Sequence, residues 1–95
     1  MIAAVVTLDI KPDQDGTFRE IVAGMIADTR ANEPETLAYF LVRDEDSGLY
    51  KMIELYASAD AAEAHRKRET IRHAARALGT CLARPVMAER FTEVL

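Results

Sequence analysis

The fold is decided by residues 52–65, which read MIELYASADAAEAH. The run that ends at Tyr56 predicts a strand, and Ser58 is a preferred helix N-cap because its hydroxyl can accept a hydrogen bond from a backbone N–H of the first turn. The alanine-rich segment that follows strongly favours a helix. The stretch therefore predicts a strand that turns into a helix, and it brings Glu54, Tyr56 and His65 together as candidate chemical groups.

The strand at 49–57 has a partner immediately upstream. Residues 36–43 are rich in β-branched, aromatic and leucine side chains, and the acidic loop 44–48 ends in glycine, which predicts a β-hairpin. If Asp44 lies opposite Leu49, Tyr39 pairs with Glu54. One face then carries Leu37, Tyr39, Leu41, Arg43, Tyr50, Met52, Glu54 and Tyr56. The other carries Ala38, Phe40, Val42, Lys51, Ile53 and Leu55.

The elements on either side of the hairpin are also indicated. Residues 2–10 are apolar on both faces, as expected of a central strand covered on both sides. Residues 17–31 repeat apolar side chains at helical spacing, and Pro34 limits that helix. A second helical pattern follows Arg68. Together with the alanine-rich segment before it, this pattern predicts either one helix that is broken near Glu69-Thr70 or two short helices. Gly79 is the expected C-terminal cap, and the last strand is predicted at 86–95.

The order strand, helix, strand, strand, helix, strand predicts one domain over residues 1–95. Its fold class is α+β, the ferredoxin-like βαββαβ arrangement, with a four-stranded antiparallel sheet and the helices on one face. The other face would remain uncovered in a single chain. We therefore expect a homodimer that packs sheet to sheet.

The composition argues against several classes of function, among them nucleic-acid binding and a membrane-spanning role. The 95 residues are 49% hydrophobic and 29% charged, with a formal net charge of −4, which argues against nucleic acid as a partner. No apolar run approaches the ~20 residues of a membrane span, and no signal peptide is evident. The single cysteine, Cys81, excludes an internal disulfide and suggests a reducing, cytoplasmic location. No metal-ligand spacing of Cys and His occurs, so no metal is expected.

Four segments carry a resemblance to a known family: 33–39, 54–56, 61–65 and 78–94. In order and length they resemble the antibiotic biosynthesis monooxygenase family of dimeric α/β barrels. The resemblance implies a pocket between the sheet and its helices in each subunit. Members of that family oxidise aromatic polyketides or quinols without metal or flavin, degrade haem, or isomerise small phosphorylated sugars. This chain has no tryptophan, and Thr7 stands near an asparagine of the haem-degrading members, which argues against haem degradation.

His65 is the candidate general acid or base, because an imidazole transfers protons near neutral pH. Glu54 is the second candidate catalytic residue, to orient His65 or to accept a substrate proton, and burial beside an apolar pocket would raise its pKa. Tyr39 and Tyr56 are candidate substrate-binding residues. Each residue also has a purely structural alternative. His65 could be a hydrogen-bonded histidine at the boundary between helix and sheet, and Glu54 could pair with a cation on a neighbouring strand. The two tyrosines could be core residues whose hydroxyl ends reach solvent.

For the other reactive side chains the sequence predicts structural or surface roles rather than catalytic ones. His73 lies off the apolar stripe of its helix and is expected at the surface, and Cys81 is expected to be a small buried hydrophobe. The basic run 66–68 reads as a solvated helix face, with steering of an anionic substrate as the alternative. The acidic loop 44–46 reads as a solvated turn.

Three functions follow as hypotheses. The first is a cofactor-independent monooxygenase that acts on a phenolic or quinol-type small molecule. The second is an isomerase or lyase that acts on a small polar metabolite. The third is a non-catalytic dimeric ligand-binding module. A cavity that reaches both Glu54 and His65 would favour the enzymes, whereas a pocket filled by Leu, Met and Ile side chains would favour the third hypothesis.

Overall fold

The computed structural model describes residues 1–95 and contains four strands and three α-helices. The strands are β1 (Ile2–Leu8), β2 (Thr36–Arg43), β3 (Tyr50–Tyr56) and β4 (Met87–Thr92). The helices are α1 (Asp15–Asn32), α2 (Ala59–Lys67) and α3 (Glu69–Gly79), with a short 3-10 turn at Pro12–Gln14. The strands form one antiparallel sheet in the order β2-β3-β1-β4. The ferredoxin-like α+β fold predicted from the sequence is therefore confirmed.

The hairpin register is the one expected from the sequence. Tyr39 pairs with Glu54, and the ladder continues in step to the loop. A bulge between Thr36 and Ala38 interrupts it, and the intervening Leu37 is 54% exposed. The predicted place of Leu37 on the same face as Tyr39 is therefore wrong, because one extra residue in a strand breaks the alternation of faces.

The core lies between the sheet and α1. This helix buries one stripe of its surface, which consists of Phe18, Val22, Met25 and Thr29. These residues recur at three- and four-residue spacing, as the sequence pattern indicated. Complete burial of a large apolar side chain such as Phe18 contributes about 1.5–3 kcal/mol to stability. Cys81 is also fully buried, in agreement with its expected structural role.

Two helices, rather than one, follow β3. Arg68 separates them with an extended backbone (φ −63°, ψ 132°). The predicted cap at Ser58 is confirmed, because its Oγ accepts a hydrogen bond from the backbone N–H of Ala61 at 3.1 Å. The predicted cap at Gly79 is wrong. Gly79 is the last helical residue of α3, and Thr80 follows it as the cap, with its hydroxyl donating to the carbonyl oxygen of Ala77.

One face of the sheet remains open in the single chain. β1 is central in strand order, as expected, but only Leu8 in it is fully buried, because the helices cover one side alone. On the uncovered side Phe40 and Val42 are 40% and 39% exposed, and Phe91 of β4 is 49% exposed. No helix combines the length and the hydropathy that a membrane-spanning segment needs.

Candidate functional site

His65 lies on the inner side of α2, only 3% exposed. Ala61 and Ala62 on the same helix are buried against Tyr56, so small side chains let the helix approach the sheet closely. His65 follows Ala61 by four residues and therefore shares its face. The imidazole is consequently directed towards the sheet, as the sequence suggested.

The partner of His65 is Glu33. Glu33 is the C-cap of α1, and its backbone N–H donates to the carbonyl oxygen of Thr29 at 2.9 Å. Its two carboxylate oxygens lie 2.8 and 2.9 Å from Nδ1 of His65. The Thr36 hydroxyl donates to Oε1 at 2.7 Å, and Nη1 of Arg68 donates to Oε2 at 2.6 Å.

These contacts assign the proton on the imidazole. Burial alone would raise the pKa of Glu33, but hydrogen bonds from Thr36, Arg68 and His65 outweigh it and lower that pKa below its ordinary value. Glu33 is therefore ionised at neutral pH, and an ionised carboxylate can only accept hydrogen bonds. Nδ1 of His65 must carry a hydrogen, which leaves the lone pair of the neutral ring on Nε2. Nε2 has no hydrogen-bond partner within the chain.

Two tyrosines enclose the imidazole from the sheet side. The Tyr39 ring meets it edge to face at a centroid distance of 4.9 Å, and the Tyr56 ring lies 5.5 Å away. Burial, reinforced by the negative charge of Glu54, raises the pKa of both phenols. Both tyrosines are therefore neutral at about pH 7 and keep their hydroxyl hydrogens.

Glu54 makes a hydrogen bond with Tyr56 rather than with His65. The Tyr56 hydroxyl donates to Oε1 of Glu54. Burial raises the pKa of Glu54 even though this hydrogen bond and the nearby charges of His65 and Arg66 act in the opposite direction. The expected rise in this pKa is therefore present, whereas the expected orienting contact from Glu54 to His65 is made by Glu33 instead.

A cavity of about 420 Å³ lies between the sheet and the two C-terminal helices. Its wall is mainly apolar, with contributions from Met25, Met52, Ile71 and Leu78. The polar side chains that reach it are Tyr39, Glu54, His65 and Arg66. We call this space the apolar cavity.

A second cavity, of about 450 Å³, lies on the other side of His65. Most of the residues that line it have polar side chains, among them Glu33, Glu35, Thr36 and Arg68. We call it the polar cavity. His65 is the one residue that lines both cavities.

Three of the four predicted site residues therefore meet at the apolar cavity: His65, Glu54 and Tyr39. Tyr56 is not among its lining residues and touches the site through Glu54 and the His65 ring. His73 is exposed on α3, as expected. Glu33 was not predicted as the partner of His65, and Arg68 was predicted on a solvated face. Pro34 was the available signal for Glu33, because it ends α1 and leaves Glu33 at the helix terminus.

Comparison with known proteins identifies relatives over nearly the whole chain. The family model for antibiotic biosynthesis monooxygenase matches residues 1–77. A candidate antibiotic biosynthesis monooxygenase from Caulobacter crescentus CB15 has 34% sequence identity and a TM-score of 0.94, over 99% of this chain and 90% of that chain. No curated protein matches the chain.

Two further solved structures share the architecture. Rv0793 from Mycobacterium tuberculosis has 26% identity and a TM-score of 0.90, over 98% of this chain and 94% of that chain. PA3566 from Pseudomonas aeruginosa has 23% identity and a TM-score of 0.83, over 99% of this chain and 94% of that chain. The likeness to PA3566 is evidence of the fold alone.

Proposed function

Because the chain belongs to the antibiotic biosynthesis monooxygenase family, we propose that it is a cofactor-independent monooxygenase acting on a phenolic or quinol-type small molecule. The observation that carries the proposal is the apolar cavity, which has His65 and Glu54 in its wall. A mainly apolar cavity with a few convergent polar groups suits an aromatic ring that bears hydroxyl groups.

In the proposed mechanism His65 is the general base. Nε2 accepts the proton of a substrate hydroxyl, and Glu33 holds the ring through Nδ1 and balances the positive charge of the imidazolium that forms. The deprotonated substrate is electron-rich and can itself reduce oxygen. Deprotonation by a positioned side chain typically contributes about 10²–10⁴-fold to a rate.

The reaction balances without an external reductant. A new C–O bond forms at a ring carbon that bears hydrogen, the O–O bond breaks, and the second oxygen atom leaves as water. A phenol and one O₂ thus give a quinone and one water, and a quinol gives a hydroxyquinone and one water. All four electrons taken up by O₂ come from the substrate.

Glu54 and Tyr39 are assigned to substrate orientation. Their polar atoms stand in an otherwise apolar wall, so a hydroxylated ring would be bound where its hydroxyls meet them. Tyr56 acts on the substrate indirectly, because its hydroxyl donates a hydrogen bond to Glu54.

We also propose that the working molecule is a cytoplasmic homodimer. The uncovered sheet face exposes Phe40, Val42 and Phe91, which would be buried by a second copy of the same face. The single cysteine is buried and unpaired, which suits a reducing compartment.

Oxygen uptake with a panel of phenols and hydroquinones tests the proposal. We expect uptake above the autoxidation rate, a loss of about 10²-fold or more in His65→Ala, and a rate within about twofold of the parent in His73→Ala, because an exposed residue away from the site should be neutral. No turnover with any phenol or quinol would overturn it.

The same assay separates the two other functions. An isomerase or lyase would convert its substrate under anaerobic conditions. A ligand-binding module would bind phenols without consuming oxygen. The apolar cavity is open rather than filled by its Leu, Met and Ile side chains, so the observation that would favour the non-catalytic module is not met.

A further inference from the structure

Arg68 behaves differently from the basic residues that precede it. Arg66 and Lys67 are exposed on α2, whereas Arg68 occupies the extended break before α3 and is half-buried. Its Nη1 atom lies 2.6 Å from Oε2 of Glu33 and 2.8 Å from Oδ2 of Asp28. The break thus turns one cation inward, between two carboxylates that reach it from α1 and its C-cap.

We propose that Arg68 is a positioning residue, which holds Glu33 against His65 and sets the charge that the imidazole experiences. This inference rests on the proposed function of His65 as the base. It adds a residue that does not line the apolar cavity and whose side chain is hydrogen-bonded to Glu33.

Each carboxylate oxygen of Glu33 accepts a hydrogen bond from its own donor. Thr36 holds Oε1, Arg68 holds Oε2, and Nδ1 of His65 lies nearly midway between the two oxygens. Oδ2 of Asp28 is buried and has no partner apart from the same guanidinium. Without Arg68 two carboxylates would face each other without compensation, and Glu33 would lose the contact that fixes its orientation.

The positive charge of Arg68 also affects how readily His65 takes up a proton. Asp28 and Glu33 together carry −2 and Arg68 carries +1, so the cluster has a charge of −1 beside a neutral imidazole. Protonation of His65 brings the total to zero. Removal of the guanidinium would leave −2, which favours the imidazolium and makes the proton harder to release.

Other groups face His65 from each packed element and are the same in every variant compared below. They are Tyr39 from β2, Glu54 and Tyr56 from β3, and Arg66 from α2 itself. The phenols are neutral, so Glu54 is the acidic group among these four, and Glu35, which lines the polar cavity together with His65, is also unchanged in every variant.

Nitrogen-15 NMR of the His65 ring tests this role without any substrate. In Arg68→Gln we expect the titration midpoint of His65 to move to higher pH, by more than in Lys67→Gln. The control also removes one positive charge, but from an exposed side chain that pairs with Glu63. We also expect the Nδ1–H tautomer to be less populated in Arg68→Gln, because Glu33 is no longer fixed.

Arg68→Lys keeps the charge and should return the midpoint towards that of the parent. The inference is overturned if folded Arg68→Gln titrates like Lys67→Gln with an unchanged tautomer. If Arg68→Gln does not fold, a midpoint in Arg68→Lys that lies clearly above the parent value overturns it. Failure of the parent protein to consume oxygen would count against the proposed function and leave the NMR result to decide the role of Arg68.

Discussion

Nδ1 of His65 lies 2.8 Å from Oε1 and 2.9 Å from Oε2 of Glu33, a residue 32 positions earlier in the chain. The contact joins the end of α1 to the inner face of α2. It leaves Nε2 as the ring nitrogen that can accept a proton, since the carboxylate fixes the hydrogen on Nδ1.

Glu33→Gln should lower kcat by about 10²-fold, because the amide neither balances the imidazolium nor enforces the Nδ1–H tautomer. The measurement is oxygen uptake at saturating substrate, with KM determined alongside. Glu35→Gln is the matched control, since Glu35 is an exposed neighbour whose side chain makes no hydrogen bond to His65. Equal rates in the two variants would contradict the role given to Glu33.

Glu54→Gln should make the protein more stable at about pH 7 and leave its stability nearly unchanged at about pH 4. Burial raises the pKa of Glu54 above its value in the unfolded chain. The folded state therefore binds this proton more tightly, and the stability gained from that binding is lost as the pH rises through the folded pKa. Glutamine removes the cost of the buried charge and can still accept the Tyr56 hydrogen bond.

Urea unfolding at the two pH values measures this difference. Glu20→Gln, on the exposed side of α1, is the control and should change stability little at either pH. A Glu54→Gln protein that is less stable than the parent near neutral pH would show that Glu54 is stabilising in its charged form.

Ala75→Leu should raise KM about tenfold with little effect on folding, because its added atoms occupy the apolar cavity. Ala75 is exposed on α3, so the larger side chain meets the cavity and solvent rather than packed core. Ala27→Leu places the same change on the exposed side of α1 and is expected to leave KM unaltered. Steady-state kinetics of both variants measure this difference. Equal KM values would show that the substrate does not bind in the apolar cavity.

Phe40→Lys should convert the proposed homodimer to monomers, since it puts a charge on the open sheet face, in the edge strand β2. Sedimentation should give twice the chain mass of 10.6 kDa for the parent and the single mass for the variant. Ala23→Lys adds the same charge to the exposed side of α1 and should remain dimeric. A monomeric parent protein would rule out the dimer itself.

Sequence reasoning succeeded where the determinants are local. The alternation along β2 and β3 and the acidic loop between them were enough to pair Tyr39 with Glu54. The extra residue at Leu37 was invisible, because a bulge depends on how the strand end meets its neighbour and not on a local pattern.

The sequence was enough to predict that His65 faces the sheet, but it did not indicate the partner of this histidine. His65 stood out by its chemistry and by its place one turn after Ala61. The contact with Glu33 exists only after α1, β2 and α2 have packed. Arg68 was predicted on a solvated helix face because it belongs to a basic run that lies between Glu63 and Glu69. Its inward direction follows from one extended residue between α2 and α3.

The position of His65 between two cavities has a pharmacological consequence. A small molecule bound in the polar cavity would contact the imidazole on the side of Glu33 and Arg68. It would not occupy the apolar cavity, where the aromatic ring of the proposed substrate binds. Under the proposed function, such an inhibitor would disable His65 while substrate remained bound, and added substrate would not displace it. Inhibition of this protein should therefore be possible in a noncompetitive mode.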